Sequence, residues 1–313
     1  MLSLKAYLDD SGEADQAVGG CIASVEAWAA FDTEWKAVLD RFHVDEFHAV
    51  RFENRTHQFK TMSESDRAPF RSALLDVLTR NVAPITGGAY VCAVAGPELV
   101  EQLKWRGGIG KNPPKRGKTA REIFVDKMVE TLSDPYSVCL GNALNEVLSL
   151  VIAGQDTVQV FIADQPKRAQ GIGYITQMIG GAPRFAGRVS GFTYGRDMRP
   201  NRVRPLQAAD FAAYYLSKRK RDPANPVAWV ANKLHPQFVT LVRDNAGLTD
   251  GWINGQQDWL MSGDKETAAE VVRDRVERLA DRLLAAIGPG KARPTGERGL
   301  EAILRASQRP PRL

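Results

Sequence analysis

An α/β fold, a mixed sheet flanked by helices, is what this sequence predicts, and three observations predict it. The chain opens MLSLKAYLDDSG, in which Leu4, Ala6 and Leu8 alternate with Lys5 and Tyr7 before Ser11 and Gly12 supply turn chemistry, the pattern of a half-buried strand. TVQVFIAD, Thr157 to Asp164, is apolar enough to be buried on both faces, as parallel strands are. Between and after such runs lie stretches of helical length with their own start signals, so strands and helices alternate along the chain.

The elements follow in a definite order. AVGGCIAS, Ala17 to Ser24, reads as a second strand joined to the first by a short polar turn, hence an antiparallel hairpin. A helix is expected over about 28–41, then the short apolar piece EFHAV, then a helix over about 63–81 opened by Ser63 and Asp66 in capping-box spacing. Ile85 to Gly96 is a long strand. Helices follow over about 119–132 and 138–153, then the Thr157–Asp164 strand, a helix over 169–179, a strand GRVSGFTY and a helix whose start is fixed by Pro205. Beyond about residue 245 the chain turns loop-like and then gives a helix over 265–287 with an apolar stripe, ended by Gly288-Pro289-Gly290. The expected organisation is a domain over 1–245, with a helical insertion at about 25–84, and a helical extension with a basic tail over 246–313.

Composition limits the function classes. With 313 residues, 43% apolar and 25% charged, the chain has the profile of a soluble globular protein with enough length for a substantial core. Cys21, Cys92 and Cys139 lie far apart without a CxxC pair, so neither a disulfide framework nor a thiolate zinc site is indicated, and a reducing cytoplasm is the expected location. No signal sequence and no run of about 18 apolar residues is apparent, so no membrane partner is expected.

The net charge of +5 is unevenly spread. KWRGGIGKNPPKRGKTAR, residues 104–121, holds seven Lys or Arg and no acid; GRDMRPNRVR, 195–204, holds four arginines against one Asp; SKRKR follows at 217–221. Such clusters suit phosphate backbones. The first resembles a phosphate loop only superficially, because Gly110 and Gly117 are spaced too widely and Pro113 and Pro114 remove N–H donors. Thr119 and Glu122 are better read as a capping box. The glycines of GIGYITQMIGG likewise fall at the wrong intervals for a dinucleotide site.

The acidic positions carry the chemistry. Asp9 and Asp10 end the first strand, where the simplest role is turn formation. Asp164 ends the central strand, and PLQAADFAAYYL places Asp210 in the second turn of a helix kept thin by Ala208, Ala209, Ala212 and Ala213, with Gln207 on a neighbouring part of the same face. If that helix packs over adjacent strand ends, Asp9, Asp164 and Asp210 converge. Three ionised carboxylates in a small volume require cations, and hard oxygen ligands favour Mg2+ or Mn2+ over zinc.

YLDDSG near the start, a central strand ending FIAD and a late LQAAD on a helix together resemble the DUF3800 family of bacterial and phage proteins. In that family the opening is usually Asp-Glu-Ser-Gly, so Asp10 stands where Glu is usual, while Leu206 to Asp210 matches at every position. An Asp-Ser pair often precedes the family's helix; Asp197-Met198 departs from it. The resemblance spans about residues 1–220 and implies an RNase H-like fold: a mixed five-stranded sheet in which the first strand pairs in parallel with the fourth.

On this reading the expected function is a metal-dependent nuclease. Asp9, Asp164 and Asp210 would hold two Mg2+ or Mn2+ ions for phosphodiester hydrolysis, with Asp10 a further catalytic candidate. Lys111, Lys115, Arg116 and Lys118 of the basic loop, and Arg199, Arg202 and Arg204 before the Asp210 helix, would position a DNA or RNA backbone. Asp197, Gln207 and His48 are further candidates, and Glu122, Glu130 or Glu146 could supply a fourth carboxylate. A lone His such as His48 is more commonly a packing residue. Two other readings stay open: a non-catalytic nucleic-acid-binding protein on the same fold, and a structural or partner-binding protein.

Overall fold

Among the described residues six strands build one mixed sheet, and its centre explains where the acids go. The computed structural model describes residues 2–11, 16–82, 89–95, 134–151, 155–180, 185–221 and 238–243. Strands β1 (Leu2–Ser11), β2 (Gln16–Ser24) and β3 (Ala89–Ala95) are antiparallel neighbours. β4 (Asp156–Ile162) runs parallel to β1, with Leu8 opposite Ile162, and β5 (Val189–Thr193) runs parallel to β4. β6 (Phe238–Arg243) pairs in parallel with β3, giving the order β5-β4-β1-β2-β3-β6.

Six described helices cover the sheet: α1 (Val25–Arg41), α2 (Ala49–Glu53), α3 (Glu64–Val82), α4 (Pro135–Leu150), α5 (Ala169–Gly180) and α6 (Arg204–Arg221). Local chemistry sets their starts. The Ser24 hydroxyl accepts the Ala27 N–H at 3.2 Å, Asp134 accepts the Ser137 N–H at 3.3 Å, and Ser63 accepts the Asp66 N–H at 3.2 Å, each meeting an orphan donor of a first turn.

α6 lies directly on β1, β2 and β3. Ala208, Ala209, Ala212 and Ala213 are fully buried, and the Cys21 thiol reaches the Ala208 carbonyl at 3.8 Å, an approach that larger residues would prevent. The opposite helix layer begins with α4, which packs on β2 and β3 and in turn carries α5. Residues 25–82 pack on the α6 side. Trp35, Phe47, Phe52, Phe59, Phe70 and Phe211 are all fully buried in one core cluster with Tyr7 of β1, and the Phe47 ring lies 5.5 Å from Phe211. Each such ring contributes roughly 1.5–3 kcal/mol on burial, so the insertion and the sheet share one core. An ionic knot reinforces the join: Glu53 of α2 accepts from Arg71 of α3 at 2.9 Å and from the Tyr215 hydroxyl of α6.

Two expectations are corrected. The sheet has six strands where five were expected; the extra one, β6, adds to the free edge of β3. The central strand stops at Ile162, two residues before Asp164, because the backbone there changes partners. The Ala163 N–H still donates to Leu8 at 2.9 Å, whereas the Asp164 N–H donates to the Met198 carbonyl at 2.7 Å and draws the chain toward the turn before α6. The basic loop with Lys111, Lys115, Arg116 and Lys118, the helix expected over 119–132 with Glu122 and Glu130, and the extension 246–313 lie outside the described residues. No described helix is long and apolar enough to cross a membrane.

Candidate active site

Strand alternation and one thin helix bring the acids to a single cleft. Tyr7 of β1 points into the core beneath α6, and Asp9, two residues on, projects to that same side at the strand's carboxyl end. The second turn of α6 places Asp210 there, 4% exposed. Asp164 arrives from the β4 end, since β4 runs beside β1 in the same direction. Asp9, Asp10, Asp164 and Asp210 all line one cleft of about 1040 Å³.

The expected turn-forming role of Asp9 is also present. Its Oδ1 accepts the Asp10 N–H at 2.8 Å. The Asp10 carboxylate accepts from the Gln165 amide and lies 3.6 Å from Arg168, whose guanidinium also sits over the Tyr136 ring and 3.7 Å from Asp134. Asp164 accepts from Arg199 Nε at 3.2 Å. Asp210 Oδ2 accepts the Ala49 N–H at 2.6 Å, so the carboxylate caps α2 from across the chain, with His48 Nδ1 3.6 Å away.

Burial and mutual repulsion dominate the electrostatics. Burial pushes the Asp9 carboxyl well above its usual range, and the Asp210 and Asp10 carboxylates push further against the opposing Asp10 N–H. Burial likewise raises Asp210 to about 7, opposed by the Ala49 N–H and Arg51 and assisted by Asp10 and Glu46. His48 is held below its usual value, first by burial and then by Arg51. Its Nδ1 is buried without a hydrogen-bond partner.

Other predicted candidates fall elsewhere. Arg199 lines the cleft; Arg202 pairs with Asp197 at 2.5 Å, and Arg204 pairs with Asp32 of α1 at 2.5 Å, all four away from the cleft lining. Gln207 is buried at 1% exposure and ties the site together from behind: its Oε1 accepts from Trp35 Nε1 and the Phe47 N–H, both at 2.9 Å, and its Nε2 donates to the Pro200 carbonyl at 3.0 Å. Glu146 lies on α4, outside the cleft lining. Lys218, from the basic run at 217–221, also lines the cleft, while sequence reasoning missed Glu46, Arg51, His57 and Gln165 on its wall. Gln165 directly follows FIAD and was within reach of a motif reading; Arg51 and His57 carried no spacing signal.

Among the described residues no group of three or more His, Cys, Asp or Glu is arranged to hold a metal ion as the side chains stand. The donor chemistry nevertheless fits a hard cation, since Asp9, half-buried, and Asp210, buried, offer oxygen ligands whose ionised forms are destabilised. Comparison of the chain with protein-family models, curated proteins and solved structures found no match.

Proposed function

We propose that the chain is a metal-dependent nuclease, and one observation carries the reading: five carboxylates, Asp9, Asp10, Glu46, Asp164 and Asp210, line one cleft, and burial and carboxylate repulsion raise Asp9 and Asp210. Divalent Mg2+ or Mn2+ held by Asp9, Asp164 and Asp210 would activate water and stabilise the leaving oxygen in phosphodiester hydrolysis. Asp164 joins that set by releasing Arg199, which is then free to meet a substrate phosphate. Asp10, held by Gln165 and Arg168, orients the end of β1 and adds negative potential. The strand order, the parallel β1–β4 pair and the helix bearing LQAAD support an RNase H-like core and the resemblance to the DUF3800 family.

The second reading is a nucleic-acid-binding protein without cleavage. The Arg199–Asp164 pair favours it, because an arginine already neutralises one of the three ligands. Calorimetric titration with Mn2+ and incubation with labelled DNA and RNA separate the two. The nuclease reading expects metal binding and strand cleavage, both lost in Asp210→Asn while nucleic-acid binding persists. Tight nucleic-acid binding with neither metal uptake nor cleavage would establish the second.

A further inference from the structure

The cleft's wall opposite the β1 and β4 ends is built from residues 46–57, the segment through α2, and it is fixed in place. Its Ala49 N–H is bonded to Asp210, its Phe47 N–H to Gln207, and Phe47, Phe52 and Phe59 are fully buried behind it. Arg55 and His57 hold left-handed backbone at φ 53° and 54°, a conformation that non-glycine residues adopt only when their surroundings impose it. Into the cleft this wall presents Arg51, oriented by Glu46 at 2.9 Å, and Val50. Val50, at 38% exposure, is the one large apolar side chain among the described residues left exposed. Lys218 of α6 lines the same cleft.

Resting on the nuclease reading, we propose that this cleft takes an unpaired strand of nucleic acid and excludes duplex. The carboxylates lie deep: the side chains of Asp210, Asp164 and Asp10 are 6%, 11% and 20% exposed. A duplex is stiff over a persistence length of about 150 base pairs, so its phosphates cannot be lowered one at a time past a fixed wall that touches Asp210 itself. An unpaired strand bends at each nucleotide. It also uncovers base faces, which pack on apolar surface such as Val50 while the backbone meets Arg51 and Lys218. The cleft's 1040 Å³ lies at the upper end of small-ligand pockets, roughly 300–1,000 Å³, which is room for a few nucleotides and too little for a turn of duplex.

The test compares one sequence as single strand, blunt duplex and forked duplex, each as DNA and as RNA. Fluorescence anisotropy with full-length Asp210→Asn protein, free of divalent metal, should show the single strand bound about tenfold or more tightly than the blunt duplex. Val50→Asp and Arg51→Ala should each remove most of that preference while melting with the parent. Wild-type protein with Mn2+ should cut the fork only in its unpaired arms. Equal binding of strand and duplex, or cuts within the paired region, overturns the proposal. If no oligonucleotide is cut, the nuclease reading fails, and the proposal still stands or falls on the binding preference and its loss in Val50→Asp.

Discussion

At the scale of single residues, the strain on the Asp210 carboxyl has a sign. In the folded chain its carboxyl titrates at about 7 against an ordinary 3.8, because burial favours the neutral form. Below about pH 4 both states are protonated; between about pH 4 and 7 the folded chain keeps a proton that the unfolded chain has released, so stability falls as pH rises and the loss is complete above 7. Asp210→Asn keeps an oxygen for the Ala49 N–H and removes the charge. Without divalent metal at pH 8 it should melt above the parent by at least about 3 °C, with a flatter profile from pH 5 to 8; melting scans at several pH values decide, and an unchanged profile would mean the carboxylate is not destabilised. Gln207 behaves in the opposite way. Gln207→Ala strands the buried Trp35 and Phe47 N–H groups and should cost about 2–4 kcal/mol, read as a lower denaturation midpoint in urea. Asp9, Asp164 and Asp210 were legible because each ends a recognisable pattern; Gln207's partners were not, because a bond spanning some 160 residues leaves no local spacing to read.

At the scale of elements, the hairpin places Asp9, and Gly20 sets the hairpin. A Cβ added at Gly20 would stand 1.9 Å from the Tyr7 carbonyl oxygen, backbone that cannot move aside without shifting β1 just before its acids. Gly20→Ala should therefore cost about 2–4 kcal/mol and depress whatever activity the cleft has. Gly191→Ala in β5, where a Cβ meets nothing within 4 Å, should be tolerated and serves as the comparison in a parallel melting experiment. The strands and helices themselves were readable, since period, caps and Pro205 are local signals. The end of β4 was not, because the Asp164 N–H leaves the strand for a carbonyl at Met198, supplied by a turn far along the chain. β6 escaped for a different reason: FVTLVR is rich in β-branched residues but stands alone, without a turn and partner strand beside it in sequence.

At the scale of the whole molecule, charge and connectivity matter more than any one contact. Neutralising Lys111, Lys115, Arg116 and Lys118 together should weaken DNA or RNA binding and lower its salt dependence by up to about four phosphate contacts' worth. A salt titration that overlays the parent's would leave those lysines and arginine a solubilising role. The mixed sheet was legible from element order; that the insertion shares the sheet's core was not, because the aromatic residues joining them come from positions as distant as Phe47 and Phe211. The parallel pairing of β1 with β4 also sets a timetable. A ribosome adding roughly 5–20 residues per second delivers the end of β4 about 8–30 s after Asp9, and through that interval β1 has its hairpin partner on one edge and nothing on the other. The nascent chain therefore carries an open strand edge while its acids have no helix to face them, and release before α6 emerges yields a sticky, incomplete protein. The cleft exists only once translation has passed residue 221.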